Sequence, residues 1–455
     1  MRVHFIAIGG SAMHNLAIAL YKKGSKITGS DDEIFEPSKS RLAACGLLPK
    51  KQGWFPEKIT NEIDEIILGM HAHYDNPELL KAKELGLKIF SYPEYLFEQS
   101  KNKTRIVIGG SHGKTTITSM IMHVLKESGI NFDYMVGAQV QGFDTMVSLS
   151  EDAKYMVIEG DEYLSSPTDL RPKFHLYHPH IALLSGIAWD HINVFPTFEN
   201  YVEQFAIFAS MLEENGSLVW YENDKELKNI SNYLRKDIKS IKYKEHENIS
   251  ENGKIFLITE NKNVSLEIFG KHNLENISGA KEICKLIGVT DEQFYKAIST
   301  FKGANKRLQK LGETDQTTVF LDFAHSPSKV KATINAVKEQ FPDKKLIACL
   351  ELHTYSSLKK DFLPQYKNSM NAADEAIVYY NHHTIELKRL APVEPNEIIN
   401  AFDKENLKVF TDSRQLIDYL SSSYYRNKVL LMMSSGNFDG IQFTELTKKI
   451  LDNGK

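Results

Sequence analysis

The sequence is poor in cysteine, in long apolar runs and in net charge. Its three cysteines, Cys45, Cys284 and Cys349, are widely separated in 455 residues, which disfavours a disulfide framework or a zinc cluster. No run approaches the ~18 apolar residues of a membrane-spanning helix, and the opening MRVHFIAIGGS lacks the apolar core of a signal peptide. A net charge of −4 gives no general attraction to nucleic acid or to an anionic membrane. These absences predict a cytoplasmic protein without a nucleic-acid or membrane partner.

The residues that are present are typical of a large globular enzyme. Hydrophobic residues make up 42% and charged residues 25% of a chain that is too long for one ordinary core. Short apolar runs alternate with helical patterns, which predicts parallel sheets covered by helices. The pattern breaks at 98–104 (EQSKNKT) and at 301–307 (FKGANKR). We therefore expect three α/β domains, at 1–102, 103–301 and 302–455.

The apolar runs are the strand candidates. A polar segment that is rich in Asn and Lys covers 222–263. The runs are VHFIAI, SKITGS, EIILGM, LKIFSY, KYMVIEG, HIALLSGI, TTVFLDFAH, KLIACLEL, EAIVYY and KVLLMMSS.

The stretch 104-TRIVIGGSHGKTTITSM-120 has the order of a phosphate-binding loop: a strand, a glycine turn and a helix. Backbone N–H groups at such a helix start point at phosphate oxygens. Lys114 adds a charge for the terminal phosphates, and the Thr115 hydroxyl can hold Mg²⁺. In the full G-x-x-x-x-G-K-[ST] pattern the first glycine falls at Ile108, so this loop is a shortened variant. An ordinary strand-to-helix connection is the alternative, but the order of parts favours a nucleoside triphosphate.

Further stretches follow the loop in order: 158-IEGDEY-163, 185-SGIAWDHINVFPT-197, 270-GKHNLENISGA-280 and 320-FLDFAHSP-327. Together with the loop they resemble the Mur ligase family, the ATP-dependent amide ligases of peptidoglycan synthesis. The resemblance covers all three expected domains. It implies a Rossmann-like domain that binds a UDP-sugar, a central P-loop ATPase domain with a parallel sheet, and a C-terminal Rossmann-like α/β domain that binds the amine substrate.

The resemblance also implies residues for ATP, for Mg²⁺ and for catalysis. Carboxylate and hydroxyl oxygens suit Mg²⁺, and a planar guanidinium suits phosphate, although Lys306 stands next to the arginine. The implied ATP-binding residues are Gly110, Ser111, His112, Gly113, Lys114, Thr115, Thr116, Asn273, Asn276, Arg307, Asp322 and His325. The implied catalytic residues are Lys114, Glu159, His191 and Arg307, and the implied metal ligands are Thr115, Glu159 and His191.

Each assignment has a plainer alternative. The residues at 159–162 could form a solvated acidic turn, His191 could be a hydrogen-bonded core histidine, and Asn273 could cap its helix. Some members of the family carry a carbamylated lysine after the D-H motif, but 192–205 contains no lysine. That absence resembles the branches that add L-alanine or a preformed tripeptide, and it places more weight on His191.

The first strand–turn–helix, 3-VHFIAIGGSAMHNLAIAL-20, is an incomplete dinucleotide fingerprint. Ala7 and Ala12 stand where G-x-G-x-x-G has glycines. An NAD site is one reading, because Asp31 falls about twenty residues on. The family resemblance instead implies the UDP portion of UDP-N-acetylmuramate. The implied contacts are Gly9, Gly10, Ser11, Ala12, Met13, Ser30, Asp31 and His71.

The amine acceptor separates two branches of the family. 434-SSGNFDGI-441 and 171-RPKFHLYHP-179 resemble the branch that attaches L-alanyl-γ-D-glutamyl-meso-diaminopimelate in peptidoglycan recycling. 353-HTYSSL-358 resembles the L-alanine branch, but without its arginine. We favour the tripeptide as the acceptor, with L-alanine as the alternative. We expect ATP and Mg²⁺ as cofactors. We also expect the protein to be a monomer or a weak homodimer. A P-loop ATPase without ligation is a further alternative.

Overall fold

Strands and helices alternate along most of the chain. The structure is a computed structural model that describes residues 1–189, 194–251, 254–260 and 262–453. The strands are β1 Arg2–Ile6, β2 Lys26–Ser30, β3 Glu65–Leu68, β4 Lys88–Ser91, β5 Thr104–Gly109, β6 Phe132–Met135, β7 Val147–Ser148, β8 Tyr155–Glu159, β9 Leu164–Ser166, β10 Asp169–Pro172, β11 Ile181–Leu184, β12 Ser217–Tyr221, β13 Lys239–Tyr243, β14 Asn248–Glu251, β15 Lys254–Leu257, β16 Val264–Ser265, β17 Gln309–Glu313, β18 Thr317–Asp322, β19 Lys345–Glu351, β20 Glu375–Tyr379, β21 Lys408–Phe410 and β22 Lys428–Met433.

The α-helices lie between these strands. They are α1 Ser11–Lys22, α2 Ser38–Ala44, α3 Pro77–Glu84, α4 Tyr92–Ser100, α5 Lys114–Glu127, α6 Phe198–Ser210, α7 Lys225–Ser231, α8 Lys271–Leu286, α9 Asp291–Ile298, α10 Pro327–Gln340, α11 His382–Leu387, α12 Pro395–Phe402, α13 Ser413–Ser422 and α14 Phe443–Asp452. The predicted α/β class with parallel sheets is confirmed.

The first sheet has the strand order β2-β1-β3-β4, with every pair parallel. Val3 and Phe5 of β1 are buried, and so is the intervening His4. A central strand of a parallel sheet is covered on both faces, which accounts for this continuous burial. The glycine turn before α1 therefore follows the carboxyl end of a central strand.

The central sheet has the order β13-β12-β11-β5-β8-β6-β7, and only the β6–β7 pair among these is antiparallel. Strand β5 lies between β11 and β8. Because the three strands are parallel, their carboxyl ends meet at one edge of the sheet. Ligands bind at such an edge, where neighbouring connections leave room between them.

The third sheet has the order β17-β18-β22-β19-β20-β21, with β17 antiparallel. Alternate residues of β22 enter two cores on opposite faces: Val429 and Leu431 one core, Leu430 and Met432 the other. This alternation is the period of two that a strand imposes on its side chains.

One region differs from the sequence expectations. The linker expected at 98–104 is shorter, because α4 runs to Ser100; a capping box at Ser91 starts this helix and Leu96 is buried within it. The polar segment at 222–263 contains α7, β13, β14 and β15. Two small antiparallel sheets, β10-β9 and β14-β15-β16, complete the described sheets.

The described residues group into two compact units along the chain. One contains 1–244 and 275–298, and the other contains 245–274 and 299–455. The three domain boundaries expected from the sequence stay a prediction. Within the described ranges, no helix is long and apolar enough to span a membrane.

Candidate active site

The shortened loop after β5 requires its two inner glycines. Gly110 has φ 125° and Gly113 has φ 73°, a region that side chains rarely adopt. A Cβ on Gly110 would lie 2.2 Å from Oγ of Ser185, and one on Gly113 would lie 2.4 Å from Oδ1 of Asn276. Gly113 also precedes α5 as its N-cap residue. The backbone N–H groups of the first helical turn are therefore not covered by a capping side chain and suit an anion.

The segment after β11 holds this loop in place. Ser185 donates its hydroxyl to the carbonyl of His112 and its backbone N–H to the carbonyl of Gly109. In return, the N–H of Ser111 donates to the carbonyl of Gly186 at 2.9 Å, and the N–H of Ala188 donates to Oγ of Ser111 at 2.9 Å. These bonds fix a loop that lacks one residue of the usual pattern.

Lys114 stands at the start of α5 with its ammonium paired. Its Nζ donates to the carbonyl of Gly110 at 2.7 Å and to Oε2 of Glu162 at 2.6 Å. Burial disfavours the charge of this lysine, but Glu162, Asp161 and Glu159 outweigh burial and raise the pKa of Lys114. The side chain of Glu162 is only 1% exposed, so this part of the acidic stretch is not a solvated turn.

Thr115 and Glu159 bring two oxygen ligands together. Oγ1 of Thr115 donates to Oε1 of Glu159 at 2.8 Å, and the N–H of Gly137 donates to Oε2 at 2.6 Å. Hard oxygens of this kind fit Mg²⁺. The third predicted ligand, His191, lies outside the described residues. Within those residues, no cluster of three or more His, Cys, Asp or Glu could hold a metal.

Helix α8 carries both predicted asparagines. Asn276 is buried next to Gly113 of the loop, as the close approach of its Oδ1 shows. Asn273 donates its side-chain amide to the carbonyl of Phe269 at 2.7 Å. One amide therefore contacts the phosphate loop, and the other secures the backbone just before its own helix.

The predicted residues of the C-terminal sheet cluster at the carboxyl end of β18, which ends at Asp322. Asp322 accepts hydrogen bonds from the N–H of Leu308 at 2.6 Å and from the N–H of Ala324 at 2.8 Å. The guanidinium of Arg307 lies 4.4 Å from the ring centroid of Phe323, and Nδ1 of His325 contacts the carbonyl of Phe323 at 2.8 Å. The Asp322 carboxylate, predicted to bind ATP, thus fixes the backbone beside Arg307.

The neighbour of Arg307 is oriented elsewhere. Lys306 donates its ammonium to the carbonyl of Gly436 at 3.4 Å. Both Lys306 and Leu308 have positive φ, at 54° and 43°, so the backbone on either side of Arg307 is in an uncommon conformation.

The glycine turn of the first sheet closes on Asp31. The N–H of Gly9 donates to Oδ2 of Asp31 at 2.6 Å, and a Cβ on Gly9 would lie 2.9 Å from that oxygen. Burial raises the pKa of Asp31 to about 6, although the bond from Gly9 lowers it in part. Gly10 is the N-cap of α1.

The remaining residues predicted for the UDP-sugar differ in exposure. Ser11 and Ala12 are exposed in the first turn of α1, and His71 is exposed after β3, whereas Met13 is part of the core. Ser30 is buried and accepts a hydrogen bond from Nζ of Lys58 at 3.0 Å. The Met13 side chain is therefore a packing residue, and only its backbone is free to face a ligand.

Three residues that contact the phosphate loop or Lys114 are not predicted by the sequence analysis. Ser185 and Glu162 belong to stretches that were identified, but nothing in their spacing marked them as partners of the loop. Tyr201 lies in α6 and bonds both Ser111 and Glu162. A tyrosine on an amphipathic helix is usually predicted to be a core residue. The sequence therefore gives no indication that Tyr201 bonds Ser111 and Glu162.

A lysine, a hydroxyl and a carboxylate around a phosphate-binding loop, at the edge of a parallel sheet, define a P-loop enzyme that acts on a nucleotide. The chain matches three models in order: Mur ligase family, catalytic domain, at residues 2–104; Mur ligase middle domain, at 108–284; and Mur ligase, glutamate ligase domain, at 306–436. The chain belongs to the Mur ligase family, whose members are ATP-dependent amide ligases.

Individual relatives carry the comparison across nearly the whole chain. The UDP-N-acetylmuramate–L-alanine ligase of Caldanaerobacter subterraneus is 30% identical, over 98% of both chains. The solved UDP-N-acetylmuramate–alanine ligase of Thermotoga maritima has a TM-score of 0.74 at 17% identity, over 99% of this chain and 98% of that one. A murein peptide ligase of Psychrobacter arcticus has a TM-score of 0.69 at 23% identity, over 99% of both. The two structures support the fold.

Proposed function

We propose that this protein uses ATP to join the carboxylate of UDP-N-acetylmuramate to the amine of L-alanine. The observation that carries the ATP-dependent chemistry is the cluster of Lys114, Thr115 and Glu159 at the phosphate loop. The L-alanine acceptor is supported by the 30% identical relative, which this chain covers over 98% of its length.

Amide formation from a carboxylate needs activation, and the site suits that step. A carboxylate oxygen attacks the γ-phosphorus of ATP, ADP leaves, and an acyl phosphate remains. The amine nitrogen then attacks the acyl carbon, inorganic phosphate leaves, and the nitrogen loses a proton. Negative charge gathers around the transferred phosphoryl group, where a fixed cation is most useful. Lys114 supplies that cation, and we propose that Arg307 supplies a second.

Thr115 and Glu159 would hold Mg²⁺, with His191 proposed as a further ligand. The metal would neutralise phosphate charge when it is bound. Gly137 fixes one oxygen of Glu159 and leaves the other beside Thr115, so both ligands face one position. Asn276, next to the loop, is proposed to contact the nucleotide.

The UDP portion is proposed to lie on the turn that contains Gly9 and Gly10, against the start of α1. Backbone N–H groups there suit a pyrophosphate. Ser30 and Asp31 are proposed to lie near the uridine, and His71 is a further proposed contact. A cytoplasmic location and a monomer or weak homodimer stay predictions from the sequence.

The tripeptide L-alanyl-γ-D-glutamyl-meso-diaminopimelate is the second candidate acceptor. It is favoured by 434-SSGNFDGI-441 and 171-RPKFHLYHP-179, the stretches that made it the first choice from sequence. The relatives support L-alanine better than the tripeptide, so the order of the two is reversed here.

Phosphate release with ATP, Mg²⁺ and UDP-N-acetylmuramate tests the proposal, with L-alanine and the tripeptide supplied separately. We expect phosphate release to reach half its maximal rate at a much lower concentration of L-alanine than of the tripeptide. Efficient release with the tripeptide alone would assign the recycling reaction. Release that needs neither amine would contradict a ligase, and the K114A variant controls for contaminating ATPases.

A further inference from the structure

A continuous chain of hydrogen bonds runs behind the phosphate loop. The N–H of Ala188 donates to Oγ of Ser111, which lies 2.9 Å from Oη of Tyr201. Oη of Tyr201 lies 3.0 Å from Oε1 of Glu162, and Oε2 of Glu162 accepts from Lys114 at 2.6 Å.

The donors in this chain have a single consistent direction. An ionised carboxylate only accepts, so Tyr201 donates to Glu162, and the Ser111 hydroxyl donates to Tyr201. Oε1 of Glu162 thus accepts from Tyr201, and Oε2 accepts from Lys114. The carboxylate cannot rotate without losing a bond from Lys114 or from Tyr201.

Packing fixes the tyrosine at the other end. Tyr201 is fully buried, and its ring meets Phe205 edge-on at 5.1 Å between centroids and Phe195 at 5.4 Å. Removing the hydroxyl alone would leave this packing intact. The position of Oη is therefore set by the core of the central domain.

The ammonium of Lys114 has three N–H donors. Within the described ranges, two have protein acceptors: the carbonyl of Gly110 and Glu162. Fixing two donors of a tetrahedral nitrogen fixes the direction of the third. That remaining donor is the one free for a phosphate oxygen.

We infer that Glu162 and Tyr201 are positioning residues that orient Lys114 for phosphoryl transfer rather than for ATP affinity. The inference rests on the proposed function for the reaction but not for nucleotide binding. A negative Glu162 beside the triphosphate repels it, so the carboxylate costs affinity. Its benefit is confined to the direction of the lysine in the transition state.

This combination gives an uncommon signature on substitution. In E162Q the repulsion is gone while the side-chain shape stays. We expect the dissociation constant of a non-hydrolysable ATP analogue to stay equal or fall, while kcat falls about 100-fold. In Y201F, which loses the hydrogen bond to Glu162 and the one from Ser111, we expect kcat to fall about tenfold with little change in affinity. A merely structural role would instead weaken binding and lower the unfolding temperature together.

A second Tyr–Glu–Lys set in the C-terminal sheet provides matched controls. Tyr419 donates to Glu375, which also accepts from Lys408 at 2.9 Å. The Y419F and E375Q variants remove the same groups from the sheet that contains β20 and not from the sheet that carries the phosphate loop. Both are expected to leave kcat and analogue affinity unchanged.

The experiment combines calorimetric titration of the Mg²⁺–analogue complex with steady-state kinetics for the wild type, E162Q, Y201F, the double variant and both controls. Because Tyr201 acts through Glu162, Y201F should have little further effect on kcat in the E162Q background. Weaker analogue binding in E162Q, unchanged kcat, or additive losses would each overturn the inference. Analogue binding without turnover in the wild type would contradict the proposed reaction instead, and the affinity of E162Q would still decide the inference.

Discussion

At the scale of single residues, the site depends on oxygen atoms whose partners can be named. Thr115 donates to Glu159, whereas the buried Thr118 hydroxyl, one turn further along α5, has no partner among the described residues. The two threonines are thus a matched pair for substitution by valine, which keeps the shape and removes the hydroxyl.

We predict that T115V raises the Mg²⁺ concentration needed for half-maximal activity by about tenfold or more, because a group that holds a metal or its ligand is typically worth 10–100-fold in affinity. T118V should change neither the Mg²⁺ dependence nor the melting temperature. Phosphate release measured across a Mg²⁺ series checks this. An equal Mg²⁺ requirement in both variants would remove Thr115 from the metal site.

Asp31 predicts a dependence of stability on pH. Its pKa rises from the ordinary 3.8 to about 6 in the fold, so the folded chain keeps a proton that the unfolded chain has released. The stability from this group is therefore complete below about pH 4 and lost as the pH rises towards 6. D31N should melt higher than the wild type at pH 7, and the difference should vanish near pH 4. A constant difference across this range would show that titration of Asp31 is not the cause.

At the scale of elements, the phosphate loop combines an uncommon backbone with a crowded neighbour. Gly113, at the start of α5, and Gly129, just after its end, have φ of 73° and 68°. A Cβ on Gly113 would strike Asn276, while one on Gly129 meets nothing within 4 Å. Alanine at either position therefore has the same cost in backbone conformation, but only alanine at 113 also clashes with a neighbouring side chain.

We predict that G113A and G129A each lose about 1 kcal/mol of unfolding free energy from the left-handed backbone. G113A should lose more than this because its Cβ would clash with Asn276, and only G113A should lose ATP binding. Chemical denaturation gives the first quantity and analogue titration the second. Retained binding in G113A would mean that the loop adjusts to a side chain and that its contact with Asn276 is not needed.

At the scale of the whole molecule, a ligase must couple ATP consumption to two other substrates. The three family models match consecutive segments of the chain, at 2–104, 108–284 and 306–436. We predict that ATP turnover without UDP-N-acetylmuramate is below about a hundredth of the full rate, since no carboxylate is then positioned for attack. ADP formation with each substrate omitted in turn checks this. Rapid ADP formation from ATP alone would favour the P-loop ATPase without ligation.

The sequence by itself determined the α/β class, the phosphate loop and the family, because these follow from local order: apolar runs, glycines, and Lys114 beside Thr115. It also paired Thr115 with Glu159 as oxygen ligands, although they lie 44 residues apart. It could not assign a partner to Glu162, for which a solvated acidic turn was the alternative, and it did not mark Tyr201 or Ser185.

Only the tertiary structure decided those partners. The carboxyl ends of β11, β5 and β8 meet because the strands are adjacent and parallel in the sheet, a neighbourhood that no spacing in the sequence encodes. That arrangement brings Ser185 to the loop and Glu162 to Lys114, and α6 packs Tyr201 behind both. The surroundings then shift two pKa values: burial lowers that of Lys114, but the nearby carboxylates outweigh burial and raise it, and burial raises the pKa of Asp31. The chemical groups of a motif can be recognised from a short stretch of sequence. Their burial and their contact partners depend on how distant parts of the chain pack in the fold.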